Sequence, residues 1–284
     1  MLQDVVKKWV KVKQRRHVVD YLLSHYAISE RRACKTIRLS RSVHRYQSVR
    51  PSQEALRLCI RDIATTRVRY GCQRIWVLLR RVGTHVNHKR VYRLYCEEGL
   101  MLRSKRPRRH VSAARRQPNR CQPTSPNQAW SMDFVADQLH YGQRFRALTV
   151  VDVFTRECLG IRVGQSLTGI DVVDTLTAIT QARCAPKRIF CDNGSEFQGR
   201  LADLWAYQRK VTMEFSRPGK PTDNAPIESF NGSFRNECLD THWFSTLDEA
   251  KDRIEAWRQE YNESRPPRSL HNLSPKEYAA QWAS

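Results

Sequence analysis

The chain has 284 residues, 40% of them hydrophobic, and carries a formal net charge of +22. The hydrophobic fraction is too high for a disordered chain, and the length suggests two or three domains. The nine cysteines include no CxxC pair, which excludes a zinc ribbon and a disulfide framework, and no apolar run is long enough to span a membrane. We therefore expect an intracellular protein with no membrane partner.

The positive charge is concentrated in the first part of the chain. Residues 1–120 contain 31 Lys and Arg against 7 Asp and Glu, whereas residues 121–284 contain 19 against 21. A basic tail on an ordinary protein is one explanation, but this segment also carries helical periodicity. The pattern favours nucleic acid as the partner.

Residues 1–50 have the pattern of an N-terminal helix-turn-helix segment. The apolar residues that predict its first helix by their spacing are Val18, Val19, Leu22 and Leu23. Ser29 is the expected N-cap of a second helix, SERRACKTI, and the stretch SVHRYQ predicts a third, basic helix. Arg41 and Arg45 are the candidate DNA contacts of this segment.

Residues 51–103 repeat the layout as a second helix-turn-helix-like DNA-binding domain. The apolar stripe of its middle helix consists of Ile75, Leu78, Leu79 and Val82. Asn87 is the expected N-cap of the last helix, HKRVYRLYCEE, which Gly99 ends. The candidate DNA contacts on the exposed face of that helix are Lys89, Arg90 and Arg93. The alternative is the basic surface of an ordinary helical bundle.

Residues 104–124 form a basic linker with several prolines and few large apolar residues, which is typical of an extended connector along a phosphate backbone. Residues 125–240 then alternate between strand and helix patterns in the order β-β-β-α-β-α-β-α. This order describes an α/β domain with a mixed sheet flanked by helices. Residues 241–284 are expected to extend that domain with helices.

Three acids of the α/β domain lie at positions that suggest chemistry. Asp133 lies inside the first strand, where a charge is costly unless it is paired or bound to a metal. Asp192 ends the strand IFCD before an Asn-Gly turn, and Glu228 lies in the first turn of a helix after Pro226. Each acid alone also has a structural explanation, as a turn cap or a partner of the helix dipole. Asp152 competes with Asp133, because it too lies in a strand.

Acids without a His or Cys cluster favour Mg or Mn over zinc, because hard cations prefer oxygen ligands. Two such ions about 3.5–4 Å apart can activate the attacking oxygen and stabilise the leaving oxygen in phosphoryl transfer. His85 and His88 have HxxH spacing, but no CxxC accompanies them, and Cys72 and Cys96 are too dispersed to complete a site. We expect two Mg or Mn ions and no structural zinc.

Six sequence blocks along nearly the whole chain carry a family resemblance. They are YGCQRIWVLLRR, VNHKRVYRLYCEEGLMLRSKR, WSMDF, IFCDNGSEF, SRPGKPTDNAPIESFNGSFRNEC and YNESRPPRSLHNLSPKEYA. In this order they resemble DDE transposases of the IS-three type, in particular the OrfB subunit, which are relatives of retroviral integrases. The resemblance implies an α/β ribonuclease-H-like catalytic core with a mixed five-stranded sheet, preceded by all-α helix-turn-helix segments.

The resemblance also implies a D, D, 35-spaced E triad that binds the metal ions and falls here on Asp133, Asp192 and Glu228. In such proteins a basic residue seven positions after the Glu contacts the DNA end, and here that residue is Arg235. Asn231 lies on the same helix face, since positions i, i+3 and i+7 align, and it is a further candidate DNA contact. An ordinary surface ion pair with an acidic neighbour is the alternative for the arginine.

The function that the resemblance implies is that of a DNA transposase or integrase, a polynucleotidyl transferase that cleaves DNA at the ends of a mobile element and transfers a 3′-OH to target DNA. The expected partners are the element ends, target DNA, further copies of the chain, and the product of an upstream reading frame as a fusion. A cytoplasmic, nucleoid-associated place in a bacterium is expected. Two alternatives stay open: a ribonuclease-H-like nuclease without strand transfer, and a DNA-binding regulator with an inactive core.

Overall fold

A computed structural model of the protein describes residues 12–47, 53–102, 123–217 and 224–282. The chain divides into two compact units, Met1–Glu54 and Ala55–Ser284. The predicted linker, 104–124, lies outside the described residues except for its last two positions. None of the described helices is long and apolar enough to cross a membrane.

Helices and strands occur in the order that the sequence patterns predict. The helices within the described residues are α1 Val12–His25, α2 Glu30–Ile37, α3 Arg41–Arg45, α4 Glu54–Thr66, α5 Cys72–Arg81, α6 His88–Glu97, α7 Gly169–Ala182, α8 Arg200–Arg209, α9 Ala225–Glu237, α10 Leu247–Ser264 and α11 Pro275–Ala280. The strands are β1 Ala129–Gln138, β2 Arg144–Asp152, β3 Cys158–Gly164, β4 Arg188–Cys191 and β5 Thr212–Phe215.

The described part of the first unit contains helices α1–α3. Its apolar core consists of Val19, Ala33, Cys34, Ile37 and Leu39. The hydroxyl of Ser29 accepts a hydrogen bond from the Arg32 N–H at 3.4 Å, so Ser29 is the N-cap of α2 as its sequence position predicts. These helices match the three predicted for the N-terminal segment.

Helices α4–α6 follow the predicted layout of the second helical domain. Asn87 caps α6 by accepting a hydrogen bond from the Lys89 N–H at 2.9 Å. Gly83 and Gly99 follow α5 and α6 with φ angles of +85° and +70°, a region that glycine adopts without strain. The most deeply buried residues between these helices are Ile60, Ile75, Leu79, Val91 and Leu94.

One residue of the apolar stripe predicted for α5, Val82, is exposed in the structure. The periodicity predicts that Val82 is buried with Leu78 and Leu79, but α5 ends at Arg81, and Val82 is 81% exposed. The prediction that Val82 is buried is wrong: its N–H still donates to the Leu78 carbonyl at 3.1 Å, but the side chain, at the C-cap of the helix, is not part of the apolar cluster of this domain.

The α/β domain is built on a five-stranded mixed sheet, as predicted. Its strand order is β3-β2-β1-β4-β5. Strand β1 pairs antiparallel with β2 and parallel with β4, and the outer pairs are antiparallel β2–β3 and parallel β4–β5. Strand β1 is therefore central, with an antiparallel neighbour on one side and a parallel neighbour on the other.

Apolar clusters cover both faces of this sheet. Met132 of β1 packs in the cluster that contains Leu176 of α7 and Trp205 of α8. Val135 packs in the opposite cluster, together with Phe234 of α9. Because side chains alternate along a strand, Asp133 points to the same face as Val135, the face that α9 covers. Full burial of a side chain such as Phe234 contributes roughly 1.5–3 kcal/mol to stability.

Three arginines join the α4–α6 domain to the C-terminal helices of the same unit. Arg67, in the turn after α4, binds Glu260 of α10 at 2.6 Å. Arg81 of α5 binds Glu277 of α11 at 2.6 Å. Arg74 of α5 binds a third acid, at the end of α9, at 3.0 Å. Ion pairs therefore connect the helix-turn-helix-like domain to the helices beside the sheet.

Candidate active site

Asp133 lies in the centre of the sheet with its carboxylate partly buried. The Phe134 N–H donates to one carboxylate oxygen at 2.8 Å, and the Asn231 side-chain amide donates to the other at 2.8 Å. Asn231 belongs to α9, so this second bond joins the central strand to the helix on its face. Both oxygens of Asp133 are thereby held in place.

Asn231 is itself fixed by a second partner on the sheet. The Thr149 hydroxyl, on the neighbouring strand, lies 2.9 Å from the Asn231 Oδ1 atom and 3.0 Å from the Asp133 carbonyl oxygen. Asn231 is 7% exposed. In this conformation its amide positions Asp133, and its predicted contact with DNA stays a prediction.

Asp192 reaches the same place from β4. That strand runs parallel to β1 with Phe190 opposite Ser131, so the next residues of the chain continue beside Asp133. The Gly194 N–H donates to the Asp192 carboxylate at 3.0 Å. Asp192 is otherwise exposed, as expected for an acid at the end of a strand.

Glu228 is brought to Asp133 by the start of α9. Asn224, the N-cap residue of α9, is buried and accepts a hydrogen bond from the Ser131 hydroxyl. Ser131 is two residues before Asp133 on β1. The first turn of α9 is therefore tied to the central strand, and the exposed carboxylate of Glu228 lies one turn further along.

The charges of the other two predicted acids act on the carboxyl group of Asp133. The pKa of Asp133 is raised from its ordinary value of 3.8 to about 6, chiefly by burial and to a smaller extent by the charges of Asp192 and Glu228. Hydrogen bonds from the Phe134 N–H and Asn231 oppose this rise in pKa by favouring the ionised form. The structure thus gathers negative charge at one point, which a cation would neutralise.

The raised pKa predicts that ionised Asp133 lowers the stability of the folded protein when no metal is bound. The folded state binds the proton more tightly than the unfolded state, so this group's contribution to stability is lost as pH rises from about 4 through 6. We expect Asp133→Asn to raise the free energy of unfolding in EDTA at pH 7.5 by about 1–2 kcal/mol, allowing for solvent screening. Urea unfolding at pH 7.5 and pH 4 measures this.

Most of the gain from Asp133→Asn should disappear at pH 4, where the wild-type carboxyl is protonated in the folded state and about half protonated in the unfolded state. Asp203→Asn, at an exposed site on α8, is the matched control and should leave the free energy of unfolding nearly unchanged at both pH values. An equal gain at pH 4 and pH 7.5 for Asp133→Asn would contradict the electrostatic explanation.

Asp152, which competes with Asp133 in the sequence, has a structural role. It is fully buried, and its carboxylate accepts backbone N–H bonds from Asn127 at 2.8 Å and from Phe154 and Thr155 at 2.9 Å. These bonds close the turn after β2. The carboxylate is satisfied by the backbone, which favours Asp133 as the candidate of the two strand acids.

Arg235 is exposed on α9, the helix that carries Glu228, in agreement with the predicted i, i+7 arrangement. The alternative of an ion pair with Glu237 is not what the structure contains. The Glu237 carboxylate binds Arg265 at 2.9 Å and Arg74 at 3.0 Å. The Arg235 contact with DNA stays a prediction.

The predicted DNA contacts of the two helical segments differ in their surroundings. Lys89 and Arg90 are exposed on α6, whereas Arg93 lies 3.7 Å from Glu97 in the same helix. Arg41 is exposed on α3. The remaining candidate, Arg45, donates to both carboxylate oxygens of an acid in α2.

That acid, Glu30, belongs to a group of possible metal ligands in the described part of the first unit. Atoms of Glu30, Cys34 and His44 lie within 4.8 Å of one another. The His44 ring is also bonded to Asp20 at 2.9 Å and to Glu30 at 3.0 Å. Hydrogen bonds from Arg45 and His44 lower the pKa of Glu30 to about 2, which marks the group as an ion-pair network.

Several side chains at the site have no distinct sequence signal. Thr149 is a polar residue within an apolar strand pattern, and that interruption is the one clue to its role. Arg146 and Glu196 form an ion pair between β2 and the turn after Asp192, although 49 residues separate them in the chain. Only folding brings such partners together.

Comparison with known proteins places this architecture in a family. The integrase core domain family matches residues 123–221, a second integrase core domain family matches 209–275, and an HTH-like domain family matches 51–110. The "Insertion element IS407 uncharacterized 31.7 kDa protein" of Burkholderia multivorans is 48% identical over 256 residues, which cover 89% of this chain and 91% of that protein.

The chain belongs to the DDE transposases of the IS-three type. The "Insertion element IS476 uncharacterized 39.2 kDa protein" of Xanthomonas euvesicatoria is 40% identical over 276 residues, 97% of this transposase and 79% of that protein. The "Transposase for insertion sequence element IS904" of Lactococcus lactis is 29% identical over 221 residues, 74% of this chain and 87% of that protein.

A solved structure, the HTLV-2 integrase catalytic core domain in complex with magnesium, is more distant. It is 14% identical, with a TM-score of 0.46 over 55% of this transposase and 98% of that chain. The predicted family, the ribonuclease-H-like fold and the transposase function are confirmed by the family matches and the relatives.

Proposed function

We propose that this transposase cleaves DNA at the ends of its insertion element and joins the freed 3′-OH to target DNA at one active site. The observation that carries the proposal is the placement of Asp133 on the central strand, next to β4, which leads to Asp192, and beside α9, which carries Glu228 in its first turn. No other group of described acids combines a strand-centre carboxylate, a strand-end carboxylate and the first turn of a helix in this way.

The three carboxylates fit a pair of Mg or Mn ions. They offer hard oxygen donors, they concentrate negative charge, and two of them, Asp192 and Glu228, are exposed and accessible. When bound, the ions supply Lewis-acid activation of the attacking oxygen and stabilisation of the leaving oxygen. Asn231 keeps the Asp133 carboxylate oriented through the 2.8 Å hydrogen bond between them.

DNA is held by other parts of the chain in this proposal. Exposed Lys89 and Arg90, with Arg93, contact the element end from α6, and Arg41 and Arg45 of the first unit add phosphate contacts. Phosphate contacts fix position and register, so the active site itself reads little sequence. Two ends must be joined, so at least two copies assemble on DNA, and an upstream reading frame product is fused to the chain in the active form.

The experiment that tests this function uses DNA oligonucleotides with the terminal sequence of the insertion element. Labelled ends are incubated with the full chain, with and without its upstream partner, in Mg, in Mn and in EDTA. Metal-dependent cleavage followed by a longer, joined product is expected. Cleavage without joining identifies a nuclease, and binding without cleavage identifies a regulator with an inactive core.

Arg235 is expected to contact the bound DNA end, because it lies about two turns beyond Glu228 on the same helix face. Arg235→Ala should reduce discrimination between the correct end and an end with altered terminal bases by roughly tenfold or more. Arg235→Lys should lose less, because it keeps the charge without the planar fork. A competition assay between the two ends measures the discrimination.

Arg253→Ala is the matched control for Arg235→Ala, since it removes an exposed arginine from α10. It should leave end discrimination unchanged, and neither variant should alter non-specific binding by much, because the basic N-terminal part supplies most of that charge. If Arg235→Ala retains full discrimination with its circular dichroism unchanged, Arg235 does not contact the end.

A further inference from the structure

The strand pairing that joins the segments of Asp133 and Asp192 is short. The β1–β4 ladder ends where Ser131 faces Phe190, two residues before Asp133 and two before Asp192. Beyond that point Asp192 lies on a turn, outside the hydrogen-bonded sheet. Other contacts must therefore fix its distance from Asp133.

One such contact is a pair of aromatic rings that follow the two acids. Phe134 comes directly after Asp133, and Phe197 closes the turn that begins at Asp192. Their rings stack with centroids 5.0 Å apart and an interplanar angle of 19°. Phe197 is fully buried, so the turn is anchored to β1 on the face opposite Asn231.

A single arginine contacts both segments. Arg146 extends from β2, and its guanidinium carbon lies 4.1 Å from the centroid of the Phe134 ring. The same guanidinium donates to the carboxylate of Glu196, within the turn after Asp192. The two side chains are 34% and 21% exposed. One cation thus bridges the segment of β1 and the segment of the turn.

The turn places the Glu196 carboxylate beside that of Asp192. A Cβ atom at Gly194 would lie 3.1 Å from the Asp192 Oδ1 atom and 3.2 Å from the Glu196 Oε2 atom, so the two carboxylates flank the glycine. The Ser195 hydroxyl also contacts the Glu196 Oε2 atom, at 3.2 Å. A shift of Glu196 would therefore move the turn on which Asp192 lies.

We propose that Arg146 and Glu196 are positioning residues that fix Asp192 at the distance from Asp133 required for shared metal ions. The inference rests on the proposed function, because it assigns these ions to the same acids. Arg146 holds the turn against β1 and neutralises Glu196, which would otherwise add an unpaired charge next to Asp192. Neither residue contacts DNA or metal in this role.

The rival role for Glu196 is that of a fourth metal ligand. The two roles differ in what happens when the arginine is removed. A ligand would keep its function without Arg146, whereas a positioning pair loses its effect when either partner is removed. Exchanging the two charges allows an ion pair to form again, so it should partly restore the function of a positioning pair. It cannot restore a metal ligand, because an arginine at position 196 does not bind a cation.

The experiment measures Mn²⁺ binding to the full chain by calorimetry in the absence of DNA. The variants are Arg146→Gln, Glu196→Gln and the double reversal Arg146→Glu with Glu196→Arg. The matched control is Arg188→Gln and Glu214→Gln, which remove the 3.1 Å ion pair between neighbouring strands β4 and β5. Unfolding midpoints in EDTA are recorded for every variant, to detect a general loss of stability.

We expect Arg146→Gln and Glu196→Gln each to weaken Mn²⁺ binding about 10- to 100-fold, which is the usual effect of removing a partner behind a metal ligand. The double reversal should recover part of this loss, and the control variants should bind as the unmodified chain does. The unfolding midpoints of the Arg146 and Glu196 variants should move no more than those of the controls.

Loss of binding in Glu196→Gln alone, with none in Arg146→Gln, would make Glu196 a ligand and overturn the inference. Unchanged binding in both variants would overturn it as well, while leaving the proposed function intact. If the unmodified chain binds no Mn²⁺, the metal-dependent function fails together with the inference. The three outcomes are distinguishable in one set of titrations.

Discussion

Asp133→Asn, Asp192→Asn and Glu228→Gln are each expected to abolish cleavage and joining by this transposase. Each change keeps the shape of the side chain and removes one negative charge from the proposed metal site. Because metal stabilisation of the transition state is worth several kcal/mol, and about 1.4 kcal/mol is tenfold in rate, we expect a loss of roughly 10³-fold or more. Labelled element ends in Mg give the measurement.

DNA binding provides the internal control for these three variants. It should change little, because the basic residues that hold DNA lie in other segments of the chain. Asp137→Asn is the matched control, since it removes an acid from the same strand as Asp133 without touching the triad. Wild-type turnover in any of the three triad variants would show that the assignment at that position is wrong.

The salt dependence of DNA binding should be the second large effect. Contacts with six to ten phosphates release counterions, so affinity of the full chain for duplex DNA should fall roughly 10³- to 10⁵-fold between 50 and 200 mM salt. The positive excess in residues 1–120 is large enough to make that many contacts. Titration of a labelled duplex at several salt concentrations measures the slope.

The α6 residues Lys89 and Arg90 should account for part of that slope. The double change Lys89→Ala with Arg90→Ala should reduce it by about 2, since each phosphate contact contributes about 0.9. Arg209→Ala with Lys210→Ala removes two exposed charges at the end of α8 and is the matched control. Equal slopes for the two double variants would contradict the proposed phosphate contacts of Lys89 and Arg90. A flat salt response in the full chain would contradict the proposal that the basic N-terminal part holds the DNA phosphates.

Local signals were sufficient for much of the fold. The N-caps Ser29 and Asn87, and the glycines that follow α5 and α6, act within one or two turns, so their residue types determine the helix ends directly. Where the signal was weaker, as at Val82, the helix boundary was missed by one residue. Because capping is a short-range interaction, it can be predicted from neighbouring residues in the sequence.

The candidate triad could be predicted for a different reason. Its acids are recognisable from the motifs around them, and the resemblance to a transposase family assigned all three positions. The physical pattern alone left Asp133 and Asp152 as rivals, because both are acids in apolar strands. Only the folded chain decides between them: the backbone N–H groups that satisfy Asp152 converge after the turn forms.

Sequence alone therefore predicted the element order, the caps of two helices, the basic N-terminal part and, through the family resemblance, the three candidate acids. Tertiary structure alone decided which partners those acids have, because hydrogen bonds and ion pairs form between atoms that distant segments bring within about 3 Å. Asn231 reaches Asp133 across 98 positions, and Arg146 bridges to Glu196 across 50. No local propensity encodes such pairs, since each depends on the packing of a helix or turn against the central strand.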